Sequence, residues 1–315
     1  MFIGLVVLVI LILLPLAAGT LISDFYLSLL IRIFIFALVL LGFDILLGYT
    51  GQASFGHAMF FGTGAYLTAI LLKYVSTSIW LALGASIAAT TLIGLIIGYL
   101  SLRSRGLYFI FLTFAFGQFF YLFFNSWMFV GAADGMAGIP APTMGLPWDM
   151  SNRTVFYYFT LAFLVLGFLV ARHIVNSALG RVLMGIRQNE ERVAFLGYNV
   201  QRCMLASFVI SAVYAGVAGC LYAGYQNFVS PSVYHWGLSG QILIMNLIGG
   251  MGTLIGPMIG SAFVIYFGDL LSSWMHETWL MVLGAVYVIF ILFSSGGIAG
   301  LAVNLRSLWI NRRAA

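Results

Sequence analysis

The sequence predicts an all-α polytopic bundle of about ten membrane-spanning helices, with both termini on the cytoplasmic side. Three observations carry that reading. Hydrophobic residues make up 63% of the 315 and charged residues 7%, where a soluble domain carries roughly 25% charged. Water does not wet such a surface, and lipid does. The apolar residues come in runs long enough for the about 20 residues of helix that a hydrocarbon core requires. Arginines gather in a few of the connections between those runs.

The runs lie near residues 2–21, 27–47, 57–73, 79–101, 106–125, 154–174, 203–225, 236–250, 254–272 and 278–295. The first contains Leu16-Ala17-Ala18-Gly19, which resembles a signal-peptidase region, but no basic residue precedes Arg32. A secretory leader begins with positive charge, so a retained first span is expected. The run at 236–250 is short, and is either a full span or a re-entrant, broken helix whose backbone ends protein or water must cover. Arg103 and Arg105 mark one connection. Arg172, Arg181, Arg187, Arg192 and Arg202 mark another, and Arg306, Arg312 and Arg313 the tail. The positive-inside rule puts all three groups in the cytoplasm. Counting crossings between them gives the same result and leaves the loop 126–153 outside. The whole chain, 1–315, is expected to be one transmembrane domain carrying a cytoplasmic segment at 175–202.

What the chain lacks narrows its chemistry. Lys73 is the sole lysine and stands in no G-x-x-x-x-G-K-[ST] context, so a phosphate-binding P-loop is excluded. No H-E-x-x-H, G-x-S-x-G or paired acidic motif occurs, and an enzyme active site is not expected. Basic arms and acidic tails are absent, so nucleic acid is not an expected partner; membrane lipid is. Cys203 and Cys220 stand 17 residues apart in one apolar run and read as small hydrophobes. Metal sites and cofactors on this chain are not expected.

Proton-coupled transporters place acids near the midplane, and candidates here are few. Arg32 and Asp44 share a span but lie 12 residues apart, about 18 Å along a helix. Each is expected to snorkel toward its own end. Asp269, Glu277 and Lys73 also fall near the ends of runs.

Four segments hold the remaining information. Gly48 to His57 is rich in glycine and small polar residues between apolar runs. It is either an ordinary turn or interrupted helix facing a path, with Gly51, Gln52, Ser54 and His57 the candidate lining. Residues 177–200 read as two short helices. Ser177 is expected to cap the first. Asn189 is expected to cap the second, with Glu190 and Glu191 in its first turn and Gly197 past its end. Val193, Ala194 and Leu196 give that helix an apolar patch, either a docking knob or part of a structured loop. Gly249 to Gly260 is again crowded with glycine and faintly echoes Gly48-x-x-Gly51. The outer loop carries Asp134-Gly135-Met136-Ala137-Gly138-Ile139-Pro140. It either docks an external partner or forms a packed plug. Elsewhere Gly94-x-x-x-Gly98 and Gly256-x-x-x-Gly260 are expected to let helices approach closely.

At these segments the chain resembles the permease subunits of branched-chain amino acid ATP-binding-cassette importers, the LIV type, and most closely the M-type subunit. The matching stretches are GYTGQASFGHAMFFGTGAYLTA at 48–69, DGMAGIP at 134–140, GRVLMGIRQNEERVAFLGYNV at 180–200 and GGMGTLIGPMIGSA at 249–262. The first and third are the more specific, and together the four reach from the second run to the ninth. The family carries a paired glycine before the Asp-Gly of the outer loop, where this chain has Gly131-Ala132.

The resemblance implies a bacterial inner-membrane subunit. It would work beside a second, related permease, two cytoplasmic ATPases that hold the ATP, and an extracytoplasmic solute-binding protein. It also implies that Gly180, Arg181, Glu190, Ala194 and Gly197 meet an ATPase, and that Gly51, Gln52, Ser54 and His57 line the path. Asp134 and Gly135 mark the external loop. Related permeases serve urea, short amides, aromatic acids and sugars, and the residues do not separate these cargoes. A proton-coupled secondary transporter is the reading from another class.

Overall fold

The computed structural model describes residues 9–15, 24–145, 148–275, 278–293, 297–298 and 300. Eleven named α-helices fall in this region. They are α1 (Asp24–Asp44), α2 (His57–Tyr74), α3 (Ile79–Ser101), α4 (Leu107–Ser126), α5 (Arg153–Asn176), α6 (Ala178–Gln188), α7 (Glu190–Phe195), α8 (Val200–Gln226), α9 (Trp236–Gly249), α10 (Ile255–Trp274) and α11 (Trp279–Phe293). A π-turn, Ile45–Tyr49, continues α1. Among the described residues there is no named strand, and isolated bridges join only loops. In lipid a helix satisfies its own backbone groups, which is why apolar runs take this form.

Among the described residues six helices are long and apolar enough to cross a membrane: α1 with its π-turn, α3, α4, α5, α8 and α10. Their bounds follow the expected runs closely. The 14 residues of α9 give about 21 Å of helix, short of a roughly 30 Å core. The first expected run is described only at 9–15, where it is helical. Its remainder, Glu277 and the tail arginines Arg306, Arg312 and Arg313 lie outside the described residues.

The buried centre is α1, which α8, α5 and α10 surround. Its residues from Ile33 to Tyr49 are buried all round, the pattern of an inner helix rather than an amphipathic one. The closest approach in the bundle is between α2 and α8. A Cβ on Gly64 would collide with the Gly216 carbonyl, and one on Gly219 with the Phe61 carbonyl. Gly94 and Gly98 let α3 lie on α8, at Ala212 and Phe208 respectively. Gly256 and Gly260 do the same for α10 against α9, at Gly249 and Met245. Both small-residue pairs therefore serve packing, as the spacing predicts. Hydroxyls add glue along the α2–α3 seam: Thr68 Oγ1 meets Ser86 Oγ at 3.2 Å, and Ser86 Oγ donates to the Gly64 carbonyl at 3.3 Å.

The loops collect at two ends. At one end lie the 102–106 turn, α6, α7, the 48–52 segment and residues 250–254. Arg105 pairs with Glu190 across this end at 3.0 Å. At the other end the 127–145 loop is stitched down by backbone bonds. Met136 and Val229 exchange N–H···O contacts of 2.7 and 3.0 Å, and the Thr143 N–H donates to Thr77 O at 2.7 Å. Lys73 Nζ adds a bond to Ala137 O at 2.8 Å. Two hydrogen bonds from Ser151 hold the Asp149 carboxyl below its usual range.

Gly64→Val and Gly219→Val should sharply reduce folded, monodisperse protein, because overpacking backbone against backbone costs at least about 1–3 kcal/mol. Gly84→Ala and Gly268→Ala, where a methyl meets open space, should leave the thermal midpoint unchanged or raised. Size-exclusion profiles of detergent extracts after heating compare the four variants.

Candidate functional site

Two interrupted stretches meet inside the bundle. The first begins where α1 relaxes into its π-turn, and Thr50 Oγ1 returns a hydrogen bond to Ile45 O at 2.9 Å. Gly51 follows with φ +80°, a backbone state that glycine adopts freely. The chain then rises without helix to His57. Phe55 N–H donates to Thr113 Oγ1 at 3.3 Å, and Gly56 N–H to Ser54 Oγ at 3.3 Å. His57 Nε2 meets Ser211 Oγ at 2.7 Å. Ser211 lies 11 residues into α8, about 17 Å along its axis, so α2 starts deep in the bundle. The backbone of 51–56 is non-helical and enters the bundle rather than turning at its edge.

The second stretch mirrors it from the opposite end. After Val229 the chain turns through Pro231–Tyr234 and starts α9 at Trp236. Ser239 Oγ accepts the Ala58 N–H at 2.9 Å, so the N-terminal turns of α2 and α9 abut in the interior. Helix α9 therefore begins inside the bundle and is a broken helix. At its far end, residues 250–254 run through left-handed backbone, with φ +109° at Gly250, +78° at Gly252 and +56° at Leu254. A leucine in that region is strained by about 1–3 kcal/mol.

Asp44 holds this turn. Its carboxylate accepts the Gly252 N–H at 2.7 Å and the Leu254 N–H at 3.1 Å, and the side chain is fully buried. The expectation that Asp44 snorkels is therefore wrong: two freed backbone amides of another segment hold it inside. Arg32 also finds a partner across the bundle, Asp269 at 3.2 Å. Beside Asp44, Arg187 donates through Nη1 to the Gly48 carbonyl. Asn246 is buried beside the Asp44 carboxyl, with its side-chain amide toward it.

The other expected residues divide between the two ends. Gln52 Nε2 reaches Met204 Sδ at 4.0 Å, while Gly51 is exposed against Arg187. Ser54 is fully buried. So is His57, amid the rings of Phe43, Phe60 and Phe208. On the arginine-rich end, Gly180 is buried because a Cβ would strike Val175 O. Arg181 is exposed and bonds Asn176 O at 3.3 Å. Glu190 holds Arg105; Ala194 and Gly197 are exposed, with Gly197 at φ +87°. Asn189 caps α7 by accepting the Arg192 N–H at 2.9 Å, as expected.

Two expectations at this end are corrected. Ser177 does not cap α6 with its side chain: the hydroxyl donates backward to Ile174 O at 2.6 Å. Val193 does not belong to an outward patch, because it is buried beside Gly185. Ala194 and Leu196 of the expected patch are exposed, Leu196 at 75%, and Phe195 at 89% and Tyr198 at 51% extend it.

At the opposite end Asp134 is exposed, and Gly135 (φ +77°) packs on Val229 and Ser230. Ala132 adopts φ +46°, a left-handed state that favours glycine.

Asn189→Ala should cost α7 about 1 kcal/mol and speed amide exchange at 190–196, whereas Ser177→Ala should leave α6 exchange unchanged. Ala132→Gly should stabilise the chain by about 1 kcal/mol by relieving left-handed strain, read as a raised thermal midpoint.

Comparison with known proteins fits this architecture. The family model described as branched-chain amino acid transport system / permease component matches residues 25–292. The high-affinity branched-chain amino acid transport system permease protein LivM of Escherichia coli (strain K12) is 28% identical over 287 residues, covering 84% of this chain and 67% of LivM. LivH of Salmonella typhimurium, a permease protein of the same description, is 23% identical over 297 residues, 84% of this chain and 91% of LivH. BraD of Pseudomonas aeruginosa is 26% identical over 244 residues, 71% of this chain and 78% of BraD. No solved structure matches the chain. With its six long apolar helices, this multi-pass membrane protein belongs to the family of branched-chain amino acid transport system permease components.

Proposed function

We propose that the chain is the M-type permease of an ATP-binding-cassette importer, moving branched-chain or similar hydrophobic amino acids inward across a bacterial inner membrane. It forms one transmembrane domain of about ten spans with cytoplasmic termini, α9 entering the membrane as a broken helix. It works beside a second, related permease, and ATP stays on two cytoplasmic ATPase partners. A binding protein delivers substrate to the end that carries Asp134 and Gly135. That two differently named permeases, LivM and LivH, both resemble the chain supports a two-permease assembly.

One observation carries the reading. At the arginine-rich end, a short capped helix points Phe195, Leu196 and Tyr198 out of the bundle, beside charged Glu190, Arg192 and Arg105. Lipid does not cover a tip at the polar end of a bundle, and a protein partner does. Segment 175–202 is then the coupling region. Gly180 packs α6 on the end of α5, and Gly197 ends α7. Arg181, Glu190 and Ala194 stand on the same two helices.

The mechanism follows from linkage. ATP binding closes the ATPases, and the coupling helices carry that movement into the spans. The permease pair alternates between outward and inward openings because ATP favours one of the two states. The freed backbone of residues 51–57 borders the path near the abutting starts of α2 and α9, with Gly51 and Gln52 at its surface and Ser54 and His57 buried behind them. Interrupted helices of this kind expose the polar groups that a substrate needs in lipid. Selectivity rests largely with the binding protein.

Proteoliposomes holding this chain, its neighbouring permease, the ATPases and the binding protein should accumulate labelled leucine only with ATP. Phe195→Glu with Leu196→Glu should reduce uptake at least about tenfold, since burying unpaired charge at an interface costs several kcal/mol. Uptake by this chain alone under a proton gradient would overturn the importer reading.

A further inference from the structure

The Asp44 junction joins three parts of the chain that packing alone need not join. Arg187 lies in the last turn of α6, next to the outward-pointing α7. Its guanidinium holds the Gly48 carbonyl, and its side-chain carbons lie against Gly51, where a Cβ would come within 3.2 Å of Cγ. Gly48 has no room for a side chain, because a Cβ would overlap Asp44 Oδ1 and the Gly252 amide. A Cβ on Gly252 would stand 3.1 Å from Arg187 Nη1 and 3.2 Å from Gly48 O. The arginine and the carboxylate therefore gather glycine backbone from both interrupted stretches, about 200 residues apart in the chain.

The bonds at this junction are of a particular kind. Each is a charged side chain on a backbone group that an interrupted helix has left free. Asp44 takes the amides at 252 and 254, and Arg187 takes the carbonyl at 48. Charge-assisted bonds are stronger than neutral ones; Asp44 makes its two fully buried, and Arg187 reaches Gly48 from the exposed end of α6. What they hold is strained, since Leu254 sits at φ +56° while fully packed. A strained turn persists only while its surroundings impose it. If α6 shifts, Arg187 moves Gly48, the Asp44 carboxylate moves with the π-turn, and the 250–254 turn loses its restraint. The same displacement reaches 51–57, the start of α2 and, through Ser239, the start of α9. The junction is thus a contiguous physical link between α6 and both interrupted stretches, which is what coupling between distant sites can travel through.

We propose that Arg187 and Asp44 are positioning residues that transmit movement of α6–α7 to both interrupted stretches, so that they set the coupling of ATP hydrolysis to transport rather than ATPase docking or substrate contact. The coupling half of this inference rests on the importer reading; the structural linkage does not.

The test has two arms that fail separately. In the first, hydrogen exchange is measured on the full chain in nanodiscs, without ATPases, for wild type, Arg187→Gln and Asp44→Asn. Each variant should speed exchange about tenfold at both 50–57 and 252–254, the loss of one charge-assisted bond, with the α2–α8 core still protected. A change confined to the mutated segment, or protection lost everywhere, overturns the linkage. In the second, the complete importer is assayed with Arg187→Gln and Arg187→Lys. Leucine taken up per ATP hydrolysed should fall about tenfold in Arg187→Gln with hydrolysis itself within about twofold, and Arg187→Lys should restore part of the ratio. Uptake and hydrolysis falling in proportion would overturn the positioning role. A wild-type complex without ATP-driven uptake would instead overturn the importer reading, and the exchange arm would still decide the linkage.

Discussion

A backbone that leaves helix inside a bilayer must find partners for the amides and carbonyls it frees. Most of this architecture answers that constraint. The π-turn after α1 closes on itself through Thr50. Residues 54–58 find Thr113, Ser54 and Ser239 as acceptors. The turn at 250–254 finds Asp44. Each interruption is paired with a polar side chain on another element. The interruptions therefore fix where α1, α4, α9 and α10 stand relative to one another. Asp44, charged and fully buried, is where lipid would place the heaviest penalty, and it accepts two backbone amides, while Arg187 holds the Gly48 carbonyl from the exposed end of α6.

The apolar runs made the long helices legible, since length and hydropathy alone set a span. The cap at Asn189 and the stop at Gly197 were legible because each residue type has one common use at such a position. Ser177 was not, because a hydroxyl donates as readily as it accepts, and here it turns back to Ile174. Val193 was missed for a related reason. In a six-residue helix, spacing does not say which face meets α6. Asp44 and Arg187 escaped notice as a pair because their partners are backbone atoms far along the chain, and a backbone amide carries no residue identity. Arg187 also looks like any other arginine that obeys the positive-inside rule. The faint echo of Gly48-x-x-Gly51 in the second glycine-rich segment did not show that the two touch: they meet at Gly48 and Gly252, while Gly51 faces Arg187 and Gly249 faces α10.

On the proposed reading, the two ends of the bundle have distinct tasks. The arginine-rich end offers an apolar tip on a capped helix, and Arg105–Glu190 and Arg187 tie that tip to the body of the chain. The opposite end is a loop pinned by main-chain bonds, a surface whose shape varies little. Between them lies the abutment of α2 on α9, where two helices begin inside the bundle. Family membership agrees with this division without dictating any residue of it.

The contact of α2 with α8 has a mechanical consequence. At Gly64 and Gly219 the two backbones touch with no side chain between them, so neither can slide or roll without a collision of main-chain atoms. These helices, with α3 laid on α8 through Gly94 and Gly98, form a stator. Helix α4, by contrast, buries only Phe109, Thr113 and Gly117. A displacement that enters at the start of α2 therefore meets a block of three helices whose glycines act as a weld, and it moves the three as one.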